Sequence, residues 1–255
     1  MIVKEKVAES GHWYSKDGSP AYTTVGANGN ERATTLRDAR KLGLLPSVTT
    51  IIGLLSKAGL DTWKQQQVLL AALTLPRLDG EPEQEWLARV MQDSKETGRK
   101  AAERGETIHA IIQSFYEGVY IPELPPYVKI VEGAINTHFG SRLWLSEKSF
   151  AHPDGFGGKC DLMSRADFYQ KWDGAVVDFK TKDTPLDKAE VYFEHIMQLA
   201  AYRQGLAIPK ANAAICFVNG TTNEVKVVGV SEEDLQKGWD CFSCLLKFYR
   251  IRNNI

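Results

Sequence analysis

The chain has 255 residues, of which 43% are hydrophobic and 25% are charged, the proportions of an ordinary soluble globule. Its 31 lysines and arginines against 32 aspartates and glutamates neither favour nor exclude a nucleic-acid partner, because a neutral protein can still carry a basic groove. The sequence has no apolar run long enough to span a bilayer and no recognisable signal peptide, which predicts a cytoplasmic protein without a membrane partner.

The first hundred residues predict a hairpin followed by helices. Aromatic and β-branched residues at 12–15 and 21–25 flank a turn that contains an Asp-Gly pair, which is typical of a β-hairpin. Helical patterns bounded by capping residues, glycine or proline follow at 33–42, 46–59 and 61–75. We therefore predict an N-terminal hairpin and helical region over residues 1–97.

One long helical pattern covers residues 83–118, with a break expected near Gly98 or Gly105. Its last part is amphipathic, and His109 lies on a different face from the isoleucines that should be buried. A histidine beside an apolar stripe is usually structural, so His109 taken alone does not predict a function.

The most informative strand pattern is at 174–181, where Asp178 and Lys180 lie one residue apart. Side chains alternate faces along a strand, so this carboxylate and this ammonium should point the same way while Val177 and Phe179 enter the core. Taken alone, the pair fits a surface ion pair better than a catalytic one.

Further polar residues lie on neighbouring predicted elements: Glu147 on a strand at 143–150, Asp161 on a strand at 159–163, and Gln198 and Tyr202 on a helix at 189–206. Gln198 and Tyr202 share one helical face because they are four residues apart. The glycines at 154–158, just before Asp161, either allow a ligand or backbone to approach closely or simply form a turn.

These residue types fit metal-assisted hydrolysis of a phosphodiester. Carboxylates from adjacent strands, here Asp161 and Asp178, can converge on one divalent cation through oxygen ligands. The imidazole of His109 would add a nitrogen ligand, which favours Mn²⁺-like ions without excluding Mg²⁺. Lys180 is not a cation ligand, so it would orient or activate a water, or offset charge that develops on a phosphate.

The order and spacing of these motifs resemble the RecB-type branch of the PD-(D/E)XK nuclease superfamily over residues 98–206. The matching series is G-x-x-x-H at 105–109, an acid at 147, G-x-x-D at 158–161, D-F-K-T at 178–181 and Q-x-x-x-Y at 198–202. Residues 45–51 and 59–63 are also similar to the N-terminal helical region of phage-encoded and mitochondrial RecB-like exonucleases. The resemblance implies an α/β restriction-endonuclease-like core, with a mixed central β-sheet flanked by helices.

The resemblance also implies a metal centre with a catalytic lysine. His109, Asp161 and Asp178 would be ligands of Mg²⁺ or Mn²⁺, with the backbone carbonyl of Phe179 as a further ligand. Lys180 would be the catalytic lysine.

Three other matched residues would lie around that centre. Glu147 would bind a second ion or support the ligands, and Gln198 and Tyr202 would position the lysine, a water or the DNA backbone. Glu147 could equally be a solvated strand residue, and Tyr202 could serve only to pack against the sheet.

The cysteines argue against an iron–sulfur cluster. Some RecB-like relatives hold such a cluster with one early and three late cysteines, but the first cysteine here is Cys160, directly before the predicted ligand Asp161. Cys241 and Cys244 form a single C-x-x-C in a helical pattern, whereas a cluster needs about four ligands. The sequence also lacks a G-x-x-x-x-G-K-[ST] motif, so we expect a stand-alone nuclease and not a helicase motor.

Together these patterns predict a metal-dependent DNA exonuclease with its nuclease core at 98–255, acting in DNA recombination, repair or replication, and consistent with a phage-encoded protein in its host cytoplasm. The alternatives are a structure-selective endonuclease for branched or nicked DNA and a catalytically decayed DNA-binding or assembly subunit. Expected partners are single-stranded DNA or a DNA end, and a single-strand annealing or single-strand-binding protein.

Two features of the N-terminal half are candidates for DNA contact. Trp63 and Trp86 could stack on bases if the helical region arches over the cleft, and both fit the core equally well. The basic residues at 95–104 could follow a DNA backbone, but acids alternate with them, which is also the pattern of a solvated helix.

Overall fold

The structure is a computed structural model that describes residues 11–167 and 173–255. The chain forms two compact units, one made of the residues up to Leu54 together with Ile112–Ile255, and the other of Leu55–Ile111. Residues 11–54 of the predicted N-terminal region therefore pack with the C-terminal part of the chain. The first ten residues lie outside the described part, and the functional boundary predicted after residue 97 stays a prediction.

The N-terminal segment forms two small antiparallel ribbons: Trp13–Tyr14 (β1) pairs with Leu45–Pro46 (β4), and Thr23–Val25 (β2) pairs with Glu31–Ala33 (β3). The predicted turn exists, because the Ser15 N–H donates to the Ser19 carbonyl at 2.8 Å. The predicted hairpin forms next to this turn, where Tyr14 bridges Pro20 and the Ala21 N–H donates to the Trp13 carbonyl at 2.8 Å, but residues 23–25 pair elsewhere. A second turn with Gly29 at φ +77° brings β3 beside β2, so β2 pairs with the strand that follows it.

Two short helices follow, Leu36–Leu42 (α1) and Val48–Ile52 (α2). Thr35 and Asp38 form a capping box at the start of α1. The Ser47 hydroxyl accepts the Thr50 N–H at 3.0 Å and so caps α2. The helix ends at Gly53, six residues before the predicted stop at Gly59.

The unit at 55–111 is built from Ala58–Thr74 (α3) and the first part of Glu83–Tyr116 (α4). Helix α4 is continuous through Gly98 and Gly105, so the predicted break was wrong; a glycine inside a helix costs only about 1 kcal/mol. A Cβ atom at Gly98 would lie 3.5 Å from the Trp63 ring, and the Trp86 indole donates to the Leu75 carbonyl at 2.7 Å. Both tryptophans therefore take part in packing within this unit.

The other unit contains a five-stranded mixed sheet with its strands in chain order: Leu145–His152 (β5), Phe156–Ser164 (β6), Ala175–Thr181 (β7), Asn212–Val218 (β8) and Val225–Val230 (β9). Only β7 and β8 are parallel; the other neighbouring pairs are antiparallel. The parallel pair needs a crossover, which the helix between β7 and β8 supplies.

Helices flank this sheet: Pro126–Phe139 (α5), Phe193–Gly205 (α6) and Glu232–Asn253 (α7). Helix α5 packs on β8 and β9, α6 packs on β5 to β8, and α2 and α7 pack against α6. A short 3₁₀ turn at Leu186–Lys188 leads from β7 towards α6. The expected mixed α/β fold, a central sheet flanked by helices, is confirmed.

None of the helices within residues 11–167 and 173–255 has both the length and the apolar composition that crossing a bilayer requires.

Candidate active site

The polar residues of β7 lie at its C-terminal end, where the strand leaves the core. Residues Ala175 to Phe179 are buried, which anchors the strand between β6 and β8. The Lys180 Nζ lies 2.7 Å from Oδ2 of Asp178, and the two side chains are 28% and 3% exposed. The alternation of the strand thus brings the carboxylate and the ammonium to one place.

Asp161 lies opposite Asp178, where β6 and β7 separate. The two strands pair from Ser164 to Leu162, and the ladder then stops. At the next position Oδ2 of Asp161 accepts the backbone N–H of Phe179 at 2.8 Å. A side-chain acceptor therefore replaces the ladder bond, and it fixes one oxygen of this carboxylate.

The two carboxylates are close enough to influence each other electrostatically. Burial raises the pKa of Asp161 well above its usual range, and the negative charge of Asp178 raises it further. The Phe179 N–H and the Lys180 ammonium act in the opposite direction. A bound cation would offset the same repulsion.

Gln198 on α6 connects the members of this cluster. Its Nε2 donates to Oδ1 of Asp178 at 2.7 Å and to the Tyr202 hydroxyl at 2.8 Å, while its Oε1 accepts from Lys180 at 3.1 Å. Both amide hydrogens and the amide oxygen are thus used, so the orientation of the amide is determined by its partners. Tyr202 also packs edge-on against Phe150, with ring centroids 5.9 Å apart.

Lys180 is held in its charged form. Burial alone would lower its pKa, but the attraction and hydrogen bond of Asp178 outweigh burial, so the pKa lies above its ordinary value. An ammonium that keeps its proton at neutral pH can donate hydrogen bonds but cannot accept a proton from water. The site therefore suits Lys180 to electrostatic stabilisation and orientation.

Glu147 on β5 lies beside Asp161 of β6 and has an unusual backbone conformation. Its φ is +51°, and the strand pairs on either side of it, Ser146 with Leu162 and Lys148 with Cys160, are regular. A non-glycine residue in the left-handed region within a strand is strained, and such strain is common at functional sites. The Glu147 carboxylate forms an ion pair with Lys159, and its charge contributes to the raised pKa of Asp161.

Two residues near the cluster were not predicted as site residues. Lys159 lies two positions before Asp161, and its pKa is raised because the Glu147 carboxylate outweighs the effect of burial, which alone would lower it. Burial and the charge of Lys180 lower the pKa of His195 to about 4. The sequence signal for Lys159 is strand alternation, since it lies two residues from Asp161. The signal for His195 is its helical spacing of three residues from Gln198.

The glycines before Asp161 make room for aromatic rings. A Cβ atom at Gly157 would lie 2.6 Å from Cβ of Tyr14, and one at Gly158 would lie 2.6 Å from the Phe150 ring. Both readings of this segment are therefore observed: Gly155, at φ +91°, forms the turn between β5 and β6, and the groups that approach Gly157 and Gly158 belong to the protein itself.

The predicted metal ligands are divided between the two compact units. Asp161, Asp178 and Phe179 lie in the unit with the sheet, whereas His109 lies on α4 in the unit at 55–111. Among the described residues, no group of three or more His, Cys, Asp or Glu side chains is placed to hold a metal ion. The donors brought together are the carboxylates of Asp161 and Asp178, which suit a hard cation such as Mg²⁺ that keeps several waters. The role of His109 stays a prediction.

The four cysteines are all free in the structure; Cys160 and Cys216 are buried, and Cys241 and Cys244 are exposed on α7.

The fold and site define a mixed α/β protein with a buried acid–lysine cluster at the end of a central strand. No family model and no curated protein matches the chain. The solved structure of SSO0001 is similar at 13% identity and a TM-score of 0.31, over 60% of this chain and 63% of SSO0001. A proposed exonuclease from Eubacterium rectale is similar at 14% identity and a TM-score of 0.38, over 58% of this chain and 67% of that protein.

The chain thus covers slightly less than two thirds of SSO0001. At these identities and TM-scores, neither neighbour assigns a family or an activity to this chain.

Proposed function

We propose that this protein is a metal-dependent deoxyribonuclease of the RecB-like branch of the PD-(D/E)XK superfamily, acting as an exonuclease. The observation that carries the proposal is the cluster of Asp161, Asp178 and Lys180, two carboxylates and an ammonium from adjacent strands. Gln198 orients Asp178 and Lys180, and the Phe179 N–H orients Asp161. The matching order of motifs supports the branch, and the similarity to phage-encoded and mitochondrial exonucleases supports exonuclease over endonuclease action on DNA.

Asp161 and Asp178 would hold Mg²⁺ or Mn²⁺, with His109 and the Phe179 carbonyl as further ligands. The bound cation would polarise a phosphate oxygen and lower the pKa of a bound water. The raised pKa of Asp161 supports this assignment, because two neighbouring carboxylates are more stable with a cation between them than without one.

The protein's own groups would hold and orient the reacting atoms. Lys180 donates hydrogen bonds to a phosphate oxygen or to the attacking water, and its charge offsets the negative charge that develops as the phosphodiester is hydrolysed. Gln198 holds the Lys180 ammonium and the Asp178 carboxylate in a fixed relative position, and the Tyr202 hydroxyl fixes the Gln198 amide. The Phe179 N–H fixes Asp161. Glu147 supports the site from β5.

Cleavage of defined DNA substrates tests the activity. End-labelled linear and covalently closed circular DNA, each single- and double-stranded, is incubated with Mg²⁺ or Mn²⁺ and with EDTA. We expect degradation of linear DNA, none in EDTA, and at least about a 100-fold loss in Asp161→Ala and Lys180→Ala with folding retained by circular dichroism. Comparable cleavage of closed circles would replace exonuclease by endonuclease action, and full activity of Lys180→Ala would overturn the proposal.

Metal binding has a readout that does not depend on activity. Without DNA, Mg²⁺ or Mn²⁺ should raise the melting temperature of the wild-type protein, because a ligand that binds only the folded state stabilises it. The rise should be lost in Asp161→Asn and retained in Asp240→Asn, a matched change on the exposed surface of α7. An equal rise in both variants would remove Asp161 from the metal site.

A further inference from the structure

Two aromatic side chains at the start of α6, Tyr192 and Phe193, form an exposed aromatic patch. Their exposed fractions are 49% and 43%. Exposing neighbouring large rings forgoes hydrophobic stabilisation, and such patches commonly mark binding surfaces.

The aromatic patch is connected to the acid–lysine cluster through His195. The Tyr192 and His195 rings have centroids 5.4 Å apart, and Nδ1 of His195 accepts the Tyr192 N–H at 3.2 Å. His195 in turn lies beside the Phe217 ring, with centroids 6.5 Å apart, and Phe217 on β8 is the register partner of Lys180 on β7. A group bound at Lys180 and a group resting on the Tyr192 ring would therefore be near neighbours.

Lys182 adds a cation at this surface. It follows Lys180 by two residues, and its Nζ lies 5.6 Å from the centroid of the Tyr192 ring. In the described part of the chain no carboxylate lies within ion-pair distance of this ammonium. The ammonium is thus held over a ring and is available to an anion. Aromatic faces beside a lysine form the combination with which proteins bind single-stranded nucleic acids: rings stack on bases and the cation contacts the backbone.

We propose that Tyr192, Phe193 and Lys182 bind a nucleotide of single-stranded nucleic acid next to the phosphodiester at the acid–lysine cluster, with the aromatic patch stacking on its base and Lys182 contacting a phosphate. This inference rests on the proposed nuclease function and specifies its substrate. Stacking uses the face of a base, so the site tolerates any base sequence but requires the strand to be unpaired there.

The test compares two oligonucleotides of equal length, an oligothymidylate and an abasic strand, both fluorescently labelled and titrated with the full-length protein in EDTA. The double variant Tyr192→Ala/Phe193→Ala should weaken binding of the oligothymidylate by about 5- to 150-fold, the range for loss of a stacked base. Binding of the abasic strand should stay within about twofold. Equal effects on both strands, or no effect on either, would overturn the proposal.

Matched variants separate stacking from damage to the fold. Tyr192→Phe keeps the ring and should bind as the wild type does. Tyr120→Ala removes another exposed aromatic side chain, 84% exposed, and should leave both affinities unchanged. Lys182→Gln should reduce the slope of log affinity against log salt concentration by about 0.7 for both strands, as expected for one lost phosphate contact with a single strand. An unchanged slope would remove Lys182 from the site.

The same measurements distinguish failure of this inference from failure of the nuclease proposal. Ring-dependent binding without cleavage in Mg²⁺ or Mn²⁺ would refute the nuclease proposal and keep the stacking site. Cleavage that depends on Lys180, together with binding that is unchanged when the rings are removed, would refute the stacking site and keep the nuclease proposal. If the patch instead docks a second copy of the chain, sedimentation will show a dimer that the double variant loses while its affinity for the oligothymidylate is unchanged, which would also overturn the stacking site.

Discussion

Two clusters of charged side chains in this protein differ in their surroundings. On α4, Arg99 forms ion pairs with Glu96 and Glu103, and the exposed fractions of these three side chains are 54%, 40% and 56%. At the end of β7, the side chains of Asp178 and Lys180 are 3% and 28% exposed. Water screens the first cluster, whereas the second is largely removed from water, where charges are costly unless they are paired and hydrogen-bonded.

This difference indicates what each cluster is for. Exposed pairs at helical spacing help to solvate α4 and contribute little else. The buried cluster has no such explanation, because well-packed apolar side chains would often be at least as stable as a buried ion pair. Asp161 makes the case stronger, since its carboxylate lies near Asp178 even though the charge of Asp178 disfavours that of Asp161. Charges retained against stability are typical of sites that perform chemistry.

Among substitutions that remove no charge, Gln198→Leu should have the largest effect on DNA cleavage. The variant deprives Lys180 and Asp178 of their shared partner, so we expect kcat for DNA cleavage to fall about 10- to 100-fold, as for other residues that orient catalytic groups, with KM changed much less. Steady-state kinetics on a linear substrate provide the measurement.

Gln113→Leu on α4 is the matched control for this prediction, since the Gln113 amide donates to Glu117, just beyond the end of the helix, and not to a residue of the cluster. Its kinetics should be those of the wild type. If Gln198→Leu raised KM and left kcat intact, Gln198 would be a substrate contact and not a positioning residue.

Lys180→Met should destabilise the protein by about 1–3 kcal/mol in EDTA, because it leaves the buried Asp178 carboxylate without its cation. Urea unfolding at neutral pH provides the measurement. The deficit should also depend on pH. Loss of the Lys180 charge raises the pKa of Asp161 further in the folded state, and a carboxyl group whose folded pKa is raised contributes stability at low pH that is lost as pH rises.

The difference between Lys180→Met and the wild type should therefore be smallest at acid pH and increase as pH rises through the folded pKa of Asp161. A deficit of the same size at pH 5 and pH 8 would mean that Lys180 acts through its packing and not through its charge.

Asp161→Asn should stabilise the protein while it abolishes cleavage. Asparagine keeps an oxygen that can accept the Phe179 N–H, but it removes a buried charge that Asp178 repels. We expect a gain of about 1 kcal/mol in EDTA at pH 8, a rise of about 2–4 °C in Tm for a chain of this size. The gain should shrink as pH falls, because the wild-type carboxyl group then takes up a proton. A lower Tm at pH 8 would show that the carboxylate is needed for folding.

The parts of this site that the sequence predicted are those that follow from local periodicity. Asp178 and Lys180 meet because a strand alternates its faces, and Gln198 and Tyr202 meet because a helix returns to the same face after four residues. Neither arrangement depends on which distant segment packs nearby, so spacing alone was sufficient. The parallel pair at the centre of the sheet was predictable for a similar reason, since β8 and the first part of β7 are apolar runs.

The parts that the sequence did not predict depend on contacts between distant segments. The left-handed φ of Glu147 and its ion pair with Lys159 arise where β5 meets β6. The pairing of β1 with β4 joins segments about thirty residues apart, and a local turn signal cannot distinguish it from a simple hairpin. Gly98 illustrates the opposite error, because a glycine that appears to interrupt a helix is tolerated where it packs against Trp63.

Arg99→Ala should have the smallest effect, and it tests the exposed charged cluster on α4. The variant removes both ion pairs of Arg99, yet these side chains are solvated and alanine is a good helix former. We expect Tm to stay within about 2 °C of the wild-type value. We also expect cleavage of single-stranded DNA to stay within about twofold, since the neighbouring acids leave this face with little net attraction for phosphate. A large loss of cleavage with Tm unchanged would place Arg99 in contact with DNA, and exposure of a charged cluster would then no longer separate solvating residues from functional ones in this protein.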